Sequence, residues 1–238
     1  MNIKQLIGGS LVLGLIVSTV SVAGARNGPK PEVFPRDSVA YGRTYGEWSA
    51  AWWQWSLAIP VANHPLFDKG GCSVGQSGPV WFLGGKVCST GDPTCDSSSA
   101  TRTCTVPAGK ALFFPIVNTE DSTLEDPGKT IVELRAFAES IIDGTADLTA
   151  EVDEVSIPNL KENFREQSAV FGFTLPQDNE LNAVGEGPFA AGTYFPAADD
   201  GVYLLLAPLP AGPHVLHFHG AFPALKFALD ITYNLTIQ

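Results

Sequence analysis

Charge is scarce in this chain, and positive charge most of all. Only 16% of the 238 residues are Asp, Glu, Lys or Arg, and 14 Lys and Arg face 25 Asp and Glu, for a formal net charge of −11. A field of that sign opposes a polyanion, so nucleic acid is excluded as a partner. Disorder as the main state is excluded as well, because 45% of the residues are hydrophobic. After residue 25 no apolar run approaches the ~20 residues of a membrane helix, so no membrane span is expected in the mature chain. Close Cys-x-x-Cys pairs are missing, which removes zinc-ribbon and thioredoxin-like readings. Gly128-Lys129-Thr130 has Thr123 where a phosphate-binding loop needs its first glycine, and Gly75-Gln76-Ser77-Gly78 lacks the spacing of a nucleophile elbow.

The N-terminus carries a positive signal. Lys4 precedes an apolar stretch over residues 6–22, followed by Ala23-Gly24-Ala25, a small-x-small cleavage site. Residues 1–25 therefore read as a signal peptide cut near Ala23 or Ala25, which makes the protein secreted or periplasmic. All four cysteines fall between Cys72 and Cys104, and an exported chain meets an oxidising compartment, so two disulfides are expected. The nested pairing, Cys72 with Cys104 and Cys88 with Cys95, is favoured because the inner pair brackets a turn-forming Ser-Thr-Gly-Asp-Pro-Thr segment.

Residues 26–38, rich in proline, read as an extended lead-in, and residues 39–238 as a single β-rich domain; two sub-domains meeting near Asn118 are the alternative. Thr44 with Glu47 and Thr130 with Glu133 are capping boxes. They predict helices over residues 45–59, closed by Pro60, and from Thr130 to a Gly144 cap, the second burying Ile131, Leu134, Ala138 and Ile141. Strands are predicted over residues 79–83, 110–117, 171–175, 202–207, 215–218 and 226–237. The last alternates apolar and polar residues without a miss from Phe227 to Gln238. The expected fold is mainly β, an antiparallel sandwich of jelly-roll or immunoglobulin-like kind with one or two packed helices.

Four of the five tryptophans, Trp48, Trp52, Trp53 and Trp55, lie within eight residues. On a helix Tyr45, Trp48, Trp52, Trp55 and Ile59 share a stripe about 80° wide, which is expected to be core. Trp53 falls off it. That ring, together with Trp81, is the candidate ligand contact, since an aromatic on a second face stacks on a sugar, a lipid or a partner. His217 and His219 share one face of a strand ~7 Å apart, and with His64 they form the candidate site for a divalent metal, the only cofactor suggested. The acid pairs Glu120-Asp121, Glu125-Asp126, Asp153-Glu154 and Asp199-Asp200 match no calcium loop and read as solvated surface. Negative charge is concentrated there: residues 119–200 carry four cations and eighteen acids, while residues 26–118 stand at +2 and residues 201–238 are neutral.

The runs YGRTYGEWSAAWWQWSLAIP (residues 41–60), GQSGPVWFLGG (75–85), RTCTVPAGKALFFPIVN (102–118) and APLPAGPHVLHFHG (207–220) resemble a group of uncharacterised exported bacterial proteins. The resemblance implies a bacterial exported protein of a recurring design and brings no activity to transfer. The leading expectation is a soluble or envelope-associated binding protein, with glycan or another cell-envelope component as ligand. The alternatives are an extracellular enzyme, metal-assisted through His217 and His219 or carbohydrate-active through paired carboxylates, and a structural or assembly protein. Convergence of His64, His217 and His219 in one pocket would favour the enzyme, and their separation the binding protein.

Overall fold

A computed structural model describes residues 30–238. The signal-peptide reading and the start of the lead-in lie outside the described residues. The elements are α1 (Tyr45–Leu57), β1 (Val80–Phe82), β2 (Ser99–Val106), β3 (Ala111–Ser122), α2 (Ile131–Asp143), β4 (Ala146–Val152), β5 (Val155–Ser156), α3 (Leu160–Phe164), β6 (Arg165–Gln167), β7 (Phe171–Leu175), α4 (Glu180–Val184), β8 (Gly192–Leu206), β9 (Gly212–Phe222) and β10 (Phe227–Ile237).

The strands form two five-stranded sheets. One runs β1-β3-β8-β6 with β7 also on β8, and the other runs β2-β10-β9-β4-β5. The expectation of a mainly β fold is met, but not that of an antiparallel one: β1 is parallel to β3, and β2 is parallel to β10. The cause is the path of the chain. After β1 it crosses to the second sheet as β2 and returns as β3, so β1 and β3 point the same way, as parallel neighbours joined by a long crossover do. Two one-turn helices, α3 and α4, add to the one or two helices expected.

The first sheet is covered on both faces, which is why the start of β3 is apolar at every position. Leu112, Phe114, Leu204 and Leu206 point at Leu216, Phe218, Ile231 and Tyr233 of the second sheet and form the sandwich core. Phe113, Tyr203 and Leu205 point the other way, against α1. Tyr45, Trp48, Trp52, Trp55 and Ile59 all belong to this second cluster, and both capping boxes are formed. In α2 the fully buried stripe is Leu134, Ala138 and Ile142, one residue round from the predicted stripe at its C-terminal end. Disulfides join Cys72 to Cys104 and Cys88 to Cys95, with Cα separations of 5.9 and 5.7 Å. Among the described residues no helix is long and apolar enough to cross a membrane.

Candidate functional site

The four indole N–H groups of α1 all donate into the protein. Trp48, Trp52 and Trp55 donate to backbone carbonyls, those of Ala40 (2.9 Å), Leu83 (2.7 Å) and Val74 (3.1 Å). Trp53 alone donates to a carboxylate, Asp199 Oδ2, at 2.9 Å. Ser49, one turn earlier on the same helix face, donates to Asp199 Oδ1 at 3.0 Å, and the Tyr203 hydroxyl donates to Oδ2. Asp199 is fully buried. Burial pushes its carboxyl up to about 6, against the opposing pull of the hydrogen bonds from Tyr203, Trp53 and Ser49. The Tyr203 hydroxyl is pushed well above the ordinary phenol range by burial and then by the Asp199 charge.

Glu120 lies opposite Asp199 in the β3–β8 register. It is 8% exposed, no donor reaches either carboxylate oxygen among the described residues, and the polar group that meets it is the Glu125 carboxylate. Burial, then the neighbouring Glu125 carboxylate, hold its carboxyl well above the ordinary range. The Asn118 amide nitrogen is buried beside Tyr203. These groups correct the solvated-surface reading: Glu120, Asp121, Asp199 and Asp200 are all buried. The runs in which they sit are strand, not loop, and α1 and α2 cover the two faces.

Trp53 and Asn118 form part of the wall of a cleft of about 310 Å³ between α1, the middle of β3 and the β9–β10 hairpin. Apolar side chains from Trp52, Val87, Phe222, Phe227 and Leu229 make most of the lining, while Asn118, Thr119, Lys86 and Glu180 add polar groups. Leu225, 60% exposed, stands at its edge. A register shift between Pro115 and Val117 marks where β3 borders the cleft. Glu180 is anchored from behind: Ser56 Oγ donates to its Oε2 at 2.8 Å.

The sequence-derived candidates separate. Trp81 is 6% exposed within the sandwich core, its indole N–H without a partner among the described residues, and so is not a surface contact. His64 is fully buried beneath α1. Its Nδ1 accepts from the Leu66 N–H at 3.1 Å, and its Nε2 donates to the Ser56 carbonyl at 3.0 Å and lies 3.4 Å from Glu180. Both ring nitrogens are thus occupied in packing α1 onto the loop that follows it. His217 and His219 point outward from the second sheet, beside Asp230 at 3.1 and 3.7 Å. His64 does not join them, and among the described residues no group of three or more His, Cys, Asp or Glu is placed to hold a metal ion. Sequence reasoning missed Ser49, Glu120, Glu180 and Asp199. The signal for Asp199 was its position in a run of small and apolar residues, Pro196-Ala-Ala-Asp-Asp-Gly-Val.

No protein-family model and no curated protein matches the chain. Two solved structures are similar in part. One is the crystal structure of a cysteine protease inhibitor from Entamoeba histolytica, 14% identical over 59% of this chain and 95% of that one, with a TM-score of 0.21. The other is the structure of PbICP-C in complex with falcipain-2, 10% identical over 66% of this chain and 98% of that one, with a TM-score of 0.25. Likenesses this loose carry no argument about function.

Proposed function

We propose that the chain is an exported bacterial binding protein and that the cleft beside Trp53 receives a neutral sugar unit of a glycan. One observation carries the reading: the Trp53 indole, which lines the cleft, is fixed in place by the buried Asp199 carboxylate. A ring held in advance loses little freedom when a ligand stacks on it, which is how an aromatic contributes most to affinity. Sugars offer an apolar C–H face to an indole and hydroxyls to polar neighbours, and the cleft has both kinds of lining: Trp52 and Trp53 on one hand, Glu180, Thr119 and Lys86 on the other. Its volume of about 310 Å³ stands at the lower end of the range of about 300–1,000 Å³ for small-ligand sites, enough for a sugar unit and not for a long chain. The separation of His64 from His217 and His219 favours binding over metal-assisted catalysis.

The test is isothermal titration with cello-, chito-, malto- and xylo-oligosaccharides, repeated with Gly85→Leu. Gly85 lines the cleft, and a Cβ built on it meets only Leu229, at 3.9 Å, so the backbone there has room for a side chain, and a leucine is expected to fill part of the cleft. Binding by the native protein that is lost in Gly85→Leu supports the reading. No binding to any of the four series, or binding that Gly85→Leu leaves unchanged, overturns it.

A further inference from the structure

The surroundings of Asp199 have a feature that fixing an indole does not require: among the described residues no cation reaches the carboxylate. Ser49 and Trp53 come from α1, Tyr203 from β8, and Ser168 from the segment between β6 and β7, where its Oγ accepts from the Asp199 N–H at 2.8 Å. The charged groups that face it are acids. Glu120 lies opposite on β3, and Glu125 and Asp121 stand behind Glu120. Asp200, the next residue, points to the other face of the sheet, where Arg165 binds it at 2.7 Å. The anion that holds Trp53 is therefore supported only by neutral donors, in a region that favours the protonated acid.

We infer that Asp199 is a proton-operated hold on Trp53: ionised, it fixes the indole in the wall of the cleft, and protonated, it lets the indole go and weakens ligand binding. An ionised carboxylate accepts all three side-chain hydrogens, whereas a carboxylic acid loses one acceptor position and brings a hydrogen of its own that must be received by a neighbouring oxygen. Hydrogen bonds to a charged acceptor are about twice as strong as those between neutral groups, so the Trp53 bond loses most of its hold when the charge goes. The carboxyl titrates at about 6, so modest acidification is enough. The consequence for ligand rests on the cleft being the binding site; the motion of Trp53 does not.

The experiment follows the indole N–H resonances by nitrogen–proton correlation spectra from pH 5 to pH 8, with Trp53 assigned by Trp53→Phe. The Trp53 resonance is expected to move upfield on acidification with a midpoint near 6, the other indoles staying still, and Asp199→Asn is expected to abolish the movement. Where Asp199→Asn does not fold, Ser49→Ala removes one donor to the anion and is expected to raise the midpoint by about one unit. A Trp53 resonance that is flat across this range, that titrates alike in Asp199→Asn, or whose midpoint Ser49→Ala leaves in place, overturns the inference. Oligosaccharide titration at the two ends of the range separates the claims. Binding that does not vary with pH while Trp53 titrates overturns the link to the cleft and leaves the hold standing. An absence of binding at both ends, with Trp53 titrating, overturns only the cleft reading.

Discussion

On the same two strands, consecutive acidic residues meet opposite treatment. Asp121 and Asp200 point to one face of the β3–β8 pair, where Lys129 reaches Asp121 at 3.2 Å and Arg165 reaches Asp200 at 2.7 Å and Asp143 at 2.6 Å. Glu120 and Asp199 point to the other face, against α1, and there the partners are hydroxyls, an indole and, for Glu120, another acid, Glu125. The first face is built as a structural ion-pair network, in which each buried anion has its cation. The second has buried acids with neutral or acidic partners, an arrangement that lowers stability and that proteins keep chiefly where a site requires it. The cleft adjoins that second face through Trp53 and Asn118, while Ile141 of α2 and the β9–β10 hairpin close it from the other side.

Four stability measurements sharpen the contrast, all read as the midpoint of urea unfolding. Arg165→Met should have the largest effect, a loss of about 3–5 kcal/mol, because Asp200 is left buried and unpaired. A loss below about 1 kcal/mol would show that the cationic face is not structural in this sense.

The second is the pH dependence of Asp199. Its folded-state pKa of about 6 lies above the ordinary 3.8, so the native protein holds a proton that the unfolded chain releases. This group therefore favours the fold most below pH 3.8, its contribution falls as the pH rises from 3.8 to about 6, and it is constant above. The fall is on the order of 3 kcal/mol, and in Asp199→Asn the same pH window should lose that component. A native profile that matches the variant's would remove the strain assigned to this face.

Third, Glu120→Met should stabilise the protein at neutral pH by about 1–2 kcal/mol, since it removes a buried carboxyl that faces another acid and fills its space with an apolar chain. Destabilisation would mean that the contact of Glu120 with Glu125 supports the fold, against the contrast. Fourth and smallest, Gly85→Leu should change stability by no more than about 0.5 kcal/mol, as a substitution into open space does.

These two faces also mark what was legible in the sequence. Local chemistry was readable: Thr44 with Glu47 and Thr130 with Glu133 start α1 and α2, and the alternation from Phe227 onward is β10. The tryptophan stripe was readable because helical period alone decides which residues share a face. The polar ends of β3 and β8 were not. Glu120, Asp121, Asp199 and Asp200 look like solvated charge in one dimension, and only the pairing of β3 with β8, some 80 residues apart, buries them between two helices. The parallel pairings were hidden for the same reason, since β2 meets β10 across more than half the chain. Trp53 was singled out for lying off the stripe, yet its partner Asp199 is 146 residues away and no local pattern points to it.

If the buried acids beside α1 serve the cleft at Trp53, oligosaccharide titration separates native protein from Gly85→Leu. That role for the acids requires binding by the native protein, an accompanying change in the Trp53 indole resonance, and loss of both in a Gly85→Leu protein of unchanged stability. Binding that persists in Gly85→Leu, or that leaves the Trp53 resonance where it was, would contradict it.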